Sequence, residues 1–278
     1  MALTVLTWNL FHGRDFPPNP ALRTWRSRLL RVSERDATHL QVNRELFDEF
    51  AGLLAGARWD LALLQESPPR WATGLARACN AEHHLCLTSR NSFSWVRAAL
   101  ARLNPDLIAS NEGGSSLTLV RRDAGRIIER HELELGRGPG PERRTMAFTR
   151  IELIDERQIC VANLHASAGP ERRALAEEQV MHAAARAAAR AASAPLILGG
   201  DLNLRPRQST AFARLEARFG LLGPTSPGSL DHLLYRDLEA LSPAASWAPE
   251  QREVAEDALR IRLSDHAPVQ GEFRIDAG

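Results

Sequence analysis

Six apolar runs in this chain end on the same few residue types, and no other feature of the sequence constrains the fold as strongly. Leu6-Thr7-Trp8-Asn9, Leu61-Ala62-Leu63-Leu64-Gln65-Glu66, Val161-Ala162-Asn163-Leu164-His165 and Pro195-Leu196-Ile197-Leu198-Gly199-Gly200-Asp201-Leu202-Asn203 are four of them. Ser229-Leu230-Asp231-His232 and Leu263-Ser264-Asp265-His266-Ala267-Pro268-Val269 repeat the pattern near the C-terminus. Each reads as a buried strand that stops at Asn, Asp, Glu or His. Strands laid side by side would gather these groups at one sheet edge, which is the layout of an active site. Any one of them alone is more often a turn former, a helix cap or a packed histidine.

The remaining segments place helices and further strands between these runs. Residues 21–56 read as helical, with Leu22, Trp25, Leu29, Leu46, Phe50 and Leu53 as an apolar stripe and the Arg23, Arg26, Arg28 and Arg31 face in solvent. Pro68-Pro69 opens a helix to Ala78, 83–88 is a short strand, and 92–104 is helical until Pro105. Strands follow near 115–120, 126–135, 145–154 and 157–164, and Glu171 to Ala192 is an alanine-rich helix. The stretch 222–228, Leu-Gly-Pro-Thr-Ser-Pro-Gly, is a loop. Alternating strands and helices, then consecutive strands, predict a layered α/β fold. The motifs span nearly the whole chain, so 1–278 is read as a single catalytic domain.

Composition narrows the class without naming a substrate. The 278 residues are 44% hydrophobic and 25% charged, enough for a large core. No apolar run approaches the roughly 20 residues that cross a bilayer, and no leader pattern precedes the first strand, so a cytoplasmic protein is expected. Cys79, Cys86 and Cys160 lack zinc-ligand spacing and read as reduced thiols. A formal charge of +1 supplies no global field for a polyanion. All 35 basic residues are arginine; a composition-biased genome explains this more simply than selection for phosphate binding, although the arginine fork grips phosphate in a way lysine cannot.

Taken in order, Thr7-Trp8-Asn9, Gln65-Glu66, Asn163-Leu164-His165, Gly200-Asp201-Leu202-Asn203, Leu230-Asp231-His232 and Ser264-Asp265-His266 resemble the endonuclease/exonuclease/phosphatase superfamily, the deoxyribonuclease I-like hydrolases. The resemblance implies a four-layer α/β sandwich: two packed, mainly antiparallel β-sheets flanked by helices, with the site at one end of the sheets.

It also implies roles. A phosphodiester is an anion that resists attack by another anion, so a catalyst must neutralise its oxygens and activate water. Glu66 and Asp265, with the amide oxygen of Asn9, suit a hard ion, Mg²⁺ or Mn²⁺. His266 is the general base, Asp231 orients it, Asp201 positions the water, and Asn203 donates to a phosphate oxygen. His165 matches the second histidine of the nuclease and sphingomyelinase branches. Asn163 supports the site as a substrate-binding residue, Arg144 contacts phosphate with Arg143 as the competing candidate, and Arg90, within Ser89-Arg90-Asn91, lines the groove or lies on the surface. His12 and Arg14 are close enough to touch substrate, with a solvated loop as the equal alternative, and His232 is peripheral. The expected activity is metal-dependent phosphodiester hydrolysis by a monomer, most simply on DNA. The alternative is a phosphatase or sphingomyelinase-like enzyme on a small or lipid phosphate ester, for which Phe93 and Trp95 could serve as interfacial aromatics. A member turned into a binding module is a third reading, and the intact ligands and His266 speak against it.

Overall fold

Two sheets lie face to face because their strands carry apolar side chains on both surfaces. The computed structural model describes residues 2–88, 94–112, 114–137 and 143–275. In chain order the elements are β1 (Ala2–Asn9), α1 (Trp25–Leu30), β2 (Glu34–Arg35), β3 (Leu40–Gln41), α2 (Phe47–Gly56), β4 (Leu61–Gln65), α3 (Ala72–Ala78) and β5 (Ala81–Leu87). Then come α4 (Ser94–Leu103), α5 (Pro105–Glu112), β6 (Ser115–Arg121), β7 (Gly125–Arg137), β8 (Arg143–Leu153), β9 (Gln158–His165), α6 (Arg173–Ala191) and β10 (Leu196–Asp201). The chain closes through α7 (Ala211–Phe219), β11 (Asp231–Arg236), β12 (Glu239–Ser246), β13 (Glu253–Glu256), β14 (Leu259–Arg262) and β15 (Val269–Arg274).

The first sheet has the order β12-β15-β1-β4-β6-β5 and the second β11-β10-β9-β8-β7. Each has one parallel pair at its centre, β1 with β4 and β9 with β10, among antiparallel neighbours. Leu3, Val5, Leu61, Leu63, Val161, Ile197, Leu233 and Phe273 fill the space between the sheets. A second core packs Phe50, Leu54 and Leu75 of α2 and α3 under the first sheet, against Trp8 and Leu64. A third packs the alanine face of α6, with α7, on the second. The four layers are therefore helix, sheet, sheet, helix, as expected from the resemblance. The small side chains of Ala176, Ala183, Ala184 and Ala187 let α6 sit close to its sheet.

The helix expected over 21–56 is not continuous. It stops at Leu30, and Arg31 takes a left-handed conformation (φ 56°). Asp36 then folds the chain back: its Oδ1 accepts from the Thr38 and His39 backbone amides, both at 2.7 Å, closing the β2–β3 hairpin. A short acceptor at a turn outbids helix propensity here. The stripe reading fails with it, because Trp25 and Leu29 are 68% and 53% exposed. Helices α5 and α7 and the strands β12 to β15 were not anticipated. Asp231 opens β11 rather than ending a strand, and Asp265 and His266 lie in the connection between β14 and β15; because β11 runs antiparallel to β10, its first residue sits at the edge where β10 ends.

Candidate active site

Strand register assembles the site. Asp201 of β10 lies beside His165 of β9 on one side and Asp231 of β11 on the other. Residues aligned across neighbouring strands point to the same face, so these three side chains form one row. In the other sheet Asn9 of β1 pairs with Gln65 of β4, and Glu66 follows immediately. The row requires Gly200, whose φ is +133° and whose missing Cβ would sit 1.9 Å from the Leu164 carbonyl oxygen. Five non-glycine residues around the site, Phe11, His12, Glu66, Asn203 and Ser264, have left-handed backbone with φ between 47° and 60°. Such conformations persist where surrounding structure enforces them, and they cluster at functional sites.

His266 is held on both sides by carboxylates. Its Nδ1 donates to Asp231 Oδ2 at 2.7 Å and its Nε2 lies 3.8 Å from Asp201 Oδ2. Burial alone would lower its pKa, but the Asp231 hydrogen bond and the charges of Asp231, Asp201 and Asp265 outweigh it and push the imidazole up to about 10. Asp201 is fully enclosed; burial, then the Asp231 charge, push its pKa up. Its Oδ2 accepts from Asn9 Nδ2 at 3.0 Å and its Oδ1 from the Asn203 amide at 3.1 Å. Asn9 Oδ1 in turn accepts from the Phe11 amide at 2.9 Å, and Asn203 Nδ2 donates to the Ala166 carbonyl at 3.0 Å.

Glu66 faces the histidines. His12 Nε2 approaches one oxygen at 3.3 Å and His165 Nε2 the other at 3.9 Å. Burial pushes the Glu66 pKa up, yet His12, His165 and His266 together bring it below the ordinary value. His165 also lies 3.5 Å from Asp201 Oδ2, and burial followed by the Arg144 charge lowers it to about 3, so it is a neutral imidazole. Arg144 is buried behind it and donates to the His165 carbonyl. His12, left open between substrate contact and solvated loop by the sequence, is thus part of the cluster.

Asp265 is the exposed member of the group. Partial desolvation of its carboxyl and the Glu66 charge raise its pKa against the pull of His266. Carboxylates that raise one another's pKa are relieved by a cation placed among them. The donor set fits a hard divalent ion: Glu66, Asp265 and the Asn9 amide are oxygen donors, and Asp231 Oδ1 is buried with no hydrogen-bond partner among the described residues. Asp201, Asp231 and His266 also present ligand atoms within 4.8 Å of one another, so an ion could lie on this side too.

Other expected residues have different placements. Asn163 is fully buried; its Oδ1 accepts from Gln65 Nε2 at 2.8 Å, and its Nδ2 donates to the Leu64 and Leu117 carbonyls, both at 3.2 Å. It ties the two sheets together beneath the site and has no open amide atom for substrate. Arg90 lies outside the described residues, as do Ser89, Asn91 and Phe93. His232 is buried against Phe212 and bound to Leu204, Ser229 and Thr225 backbone groups, which agrees with a place outside the chemistry. Three supporting residues went unread in the sequence. Trp8 Nε1 donates to the His266 carbonyl at 3.0 Å, Ser264 Oγ donates to the Asn9 carbonyl at 2.6 Å, and buried Arg252 donates to the Leu263, Ser264 and His266 carbonyls. An arginine in a polar segment carries no local sign that it will brace a loop 11 to 14 residues away.

The sequence matches the Endonuclease/Exonuclease/phosphatase family over residues 6–266. Solved structures similar in fold include an endonuclease/exonuclease/phosphatase family protein of Bacteroides thetaiotaomicron (15% identity, 99% of this chain, 96% of that chain, TM-score 0.67). A mannosyl-6-phosphatase of the same organism aligns at 15% identity over 98% of this chain and 99% of that one, with a TM-score of 0.64. The human Nocturnin catalytic domain with bound sulfate aligns at 15% identity over 99% and 95%, with a TM-score of 0.63. No curated protein matches the sequence.

Proposed function

This chain belongs to the endonuclease/exonuclease/phosphatase family, hydrolases of phosphate esters, and on that premise we propose that it is a divalent-metal-dependent phosphodiesterase whose first substrate class is nucleic acid, DNA foremost. The observation that carries the reading is the paired placement of His266: Nδ1 on Asp231 at 2.7 Å and Nε2 toward Asp201. It is the arrangement of an imidazole oriented by one carboxylate and aimed at a water held by another.

Mg²⁺ or Mn²⁺, held by Glu66, Asp265 and Asn9, would supply charge neutralisation at the phosphoryl oxygens. The residues do the rest. Asp201, fixed by Asn9 and Asn203, orients the attacking water. His266 takes its proton once neighbouring carboxylate charge is neutralised, because that charge is what keeps the ring protonated. Asp231 holds the resulting imidazolium. One P–O ester bond breaks, and His165, with Arg144 behind it, donates a hydrogen bond to the phosphoryl or leaving oxygen. Asn203 contacts a second oxygen. We assign the whole of 1–278 to one catalytic domain, acting as a cytoplasmic monomer.

A second reading, hydrolysis of a lipid phosphate ester, is favoured by one observation: Trp95 is 77% exposed. Mg²⁺- and Mn²⁺-supported hydrolysis of supercoiled DNA, single-stranded DNA, RNA, sphingomyelin and inositol phosphates, beside His266→Ala and an EDTA control, separates the readings. Metal-dependent nicking lost in the variant supports the nuclease; activity confined to a lipid or small ester replaces the substrate and keeps the mechanism.

A further inference from the structure

Thirteen large apolar side chains are exposed among the described residues, and eight of them fall in two short stretches. Trp25, Leu29, Leu30 and Val32 are on or just past α1, at 68%, 53%, 55% and 39% exposure. Trp95, Leu100, Leu103 and Leu107 are on α4 and α5, at 77%, 43%, 58% and 44%. Scattered single hydrophobes are normal on a surface, but a concentration of this kind marks an interface.

The two stretches adjoin. α1 packs on α5, and Asn43 Nδ2 donates to the Ser27 and Arg28 carbonyls of α1 and to Asn104 Oδ1 between α4 and α5. Their exposed charge is mainly positive. Residues 21–33 contain Arg23, Arg26, Arg28 and Arg31 with no acid, and α4 carries Arg97 and Arg102 with no acid. α5 carries Asp106 and Glu112, of which Asp106 is buried and accepts from Gln41 Nε2 at 2.7 Å. Arg26, Arg28 and Arg31 are exposed.

We infer that this face, α1 with the outer sides of α4 and α5, docks the protein on an anionic lipid surface. Tryptophan and leucine between arginines is the composition of helices that lie in the headgroup layer, the apolar side chains entering the acyl boundary and the guanidinium groups pairing with lipid phosphate. A phosphate backbone would use the arginines but leave the leucines exposed to water. A two-fold contact between copies would set like charges against each other. The face also neighbours the site. α5 packs on the turn at Phe11–Gly13, whose His12 approaches Glu66. A cavity of about 300 Å³ between them is lined by Arg23 and Arg28 on one side and Phe11 and Arg14 on the other. Docking would therefore hold the catalytic cluster beside the headgroups. The inference concerns attachment and does not depend on which ester is cleaved.

The test is co-sedimentation of the full chain with phosphatidylcholine vesicles with and without phosphatidylserine, in EDTA so that no turnover intervenes. Binding is expected only with the anionic lipid and is expected to fall with salt. Arg26→Glu with Arg31→Glu should weaken it by at least about 25-fold, from roughly fivefold for each positive charge removed. Trp25→Ala with Leu29→Ala should weaken it by roughly tenfold or more. These side chains are exposed, so unchanged melting curves will show the variants fold. No vesicle binding by the wild type, or binding indifferent to both double variants, overturns the proposal. So does sedimentation velocity showing a dimer that Leu29→Glu dissolves, or salt-sensitive DNA binding lost in the arginine variant without vesicle binding.

Discussion

Asn9 and Asp201 are joined by a 3.0 Å hydrogen bond across 192 residues of sequence, and the bond ties the end of β1 in one sheet to the end of β10 in the other. The proposed catalytic cluster therefore exists only when the sheets are docked. Asn9→Asp would set a carboxylate against buried Asp201. We expect kcat/KM for a soluble phosphodiester to fall by about 10²-fold or more, because a misplaced charge removes preorganised stabilisation. Steady-state hydrolysis of bis(p-nitrophenyl) phosphate with Mn²⁺ checks it; a change below threefold would remove Asn9 from the machinery.

His266→Ala and Asp201→Ala should each lower kcat by about 10²–10⁴-fold, the range for loss of a positioned general base or its water. Asp231→Asn, which keeps the shape but loses the charge paired with the ring, should also reduce kcat. Circular dichroism should remain that of the wild type. Near-normal rates in His266→Ala would reassign the base.

Gly200→Ala tests the backbone rather than the chemistry. At φ +133°, with the new Cβ placed 1.9 Å from the Leu164 carbonyl, no small adjustment relieves the contact. The cost is expected to exceed about 3 kcal/mol, read from urea unfolding at a fixed metal concentration.

Asp15 predicts a pH dependence of stability. Burial is the main cause of its rise to about 8, and its Oδ1, like Gln41 Oε1 beside it, is buried without a partner. The folded pKa is raised above the ordinary carboxylate value of ~3.9, so the protonated form is the one folding favours. Its stabilising contribution is complete below that ordinary value and is lost as pH rises through about 8. Asp15→Asn cannot ionise, and its melting temperature should fall less steeply than the wild type's between about pH 4 and about pH 8. Parallel slopes would rule Asp15 out.

Asn163→Ala should destabilise by about 3 kcal/mol, since it removes the buried amide's bonds to the Leu64 and Leu117 carbonyls and its bond from Gln65 Nε2, which keeps Thr7 Oγ1 and the Leu63 carbonyl. Chemical unfolding measures the loss. If only activity changed, the substrate role first expected for Asn163 would return.

How much of this was legible in the sequence depended on whether a local signal matched a local cause. β1, β4, β9 and β10 could be read because an apolar run ending in Asn9, Gln65, His165 or Asp201 is a contiguous pattern. Their gathering at one edge follows from strand geometry. The break after Leu30 was misread because Asp36 acts through two backbone amides, which an apolar stripe does not register. Asn163 looked like a substrate contact because its type and position fit one; only the facing sheet shows where its amide is spent. Trp8 and Arg252 act on His266 from 258 and 14 residues away, and no window of sequence contains such pairs.

The two parallel pairs at the sheet centres have a kinetic meaning. Asn9, His165 and Asp201 end strands whose amides should be among the slowest to exchange with solvent, since central strands open only when the molecule does. Catalytic competence and global folding should then be lost in one step on heating, with no inactive yet folded intermediate between them, while the helices at the rim are free to fray without disturbing turnover.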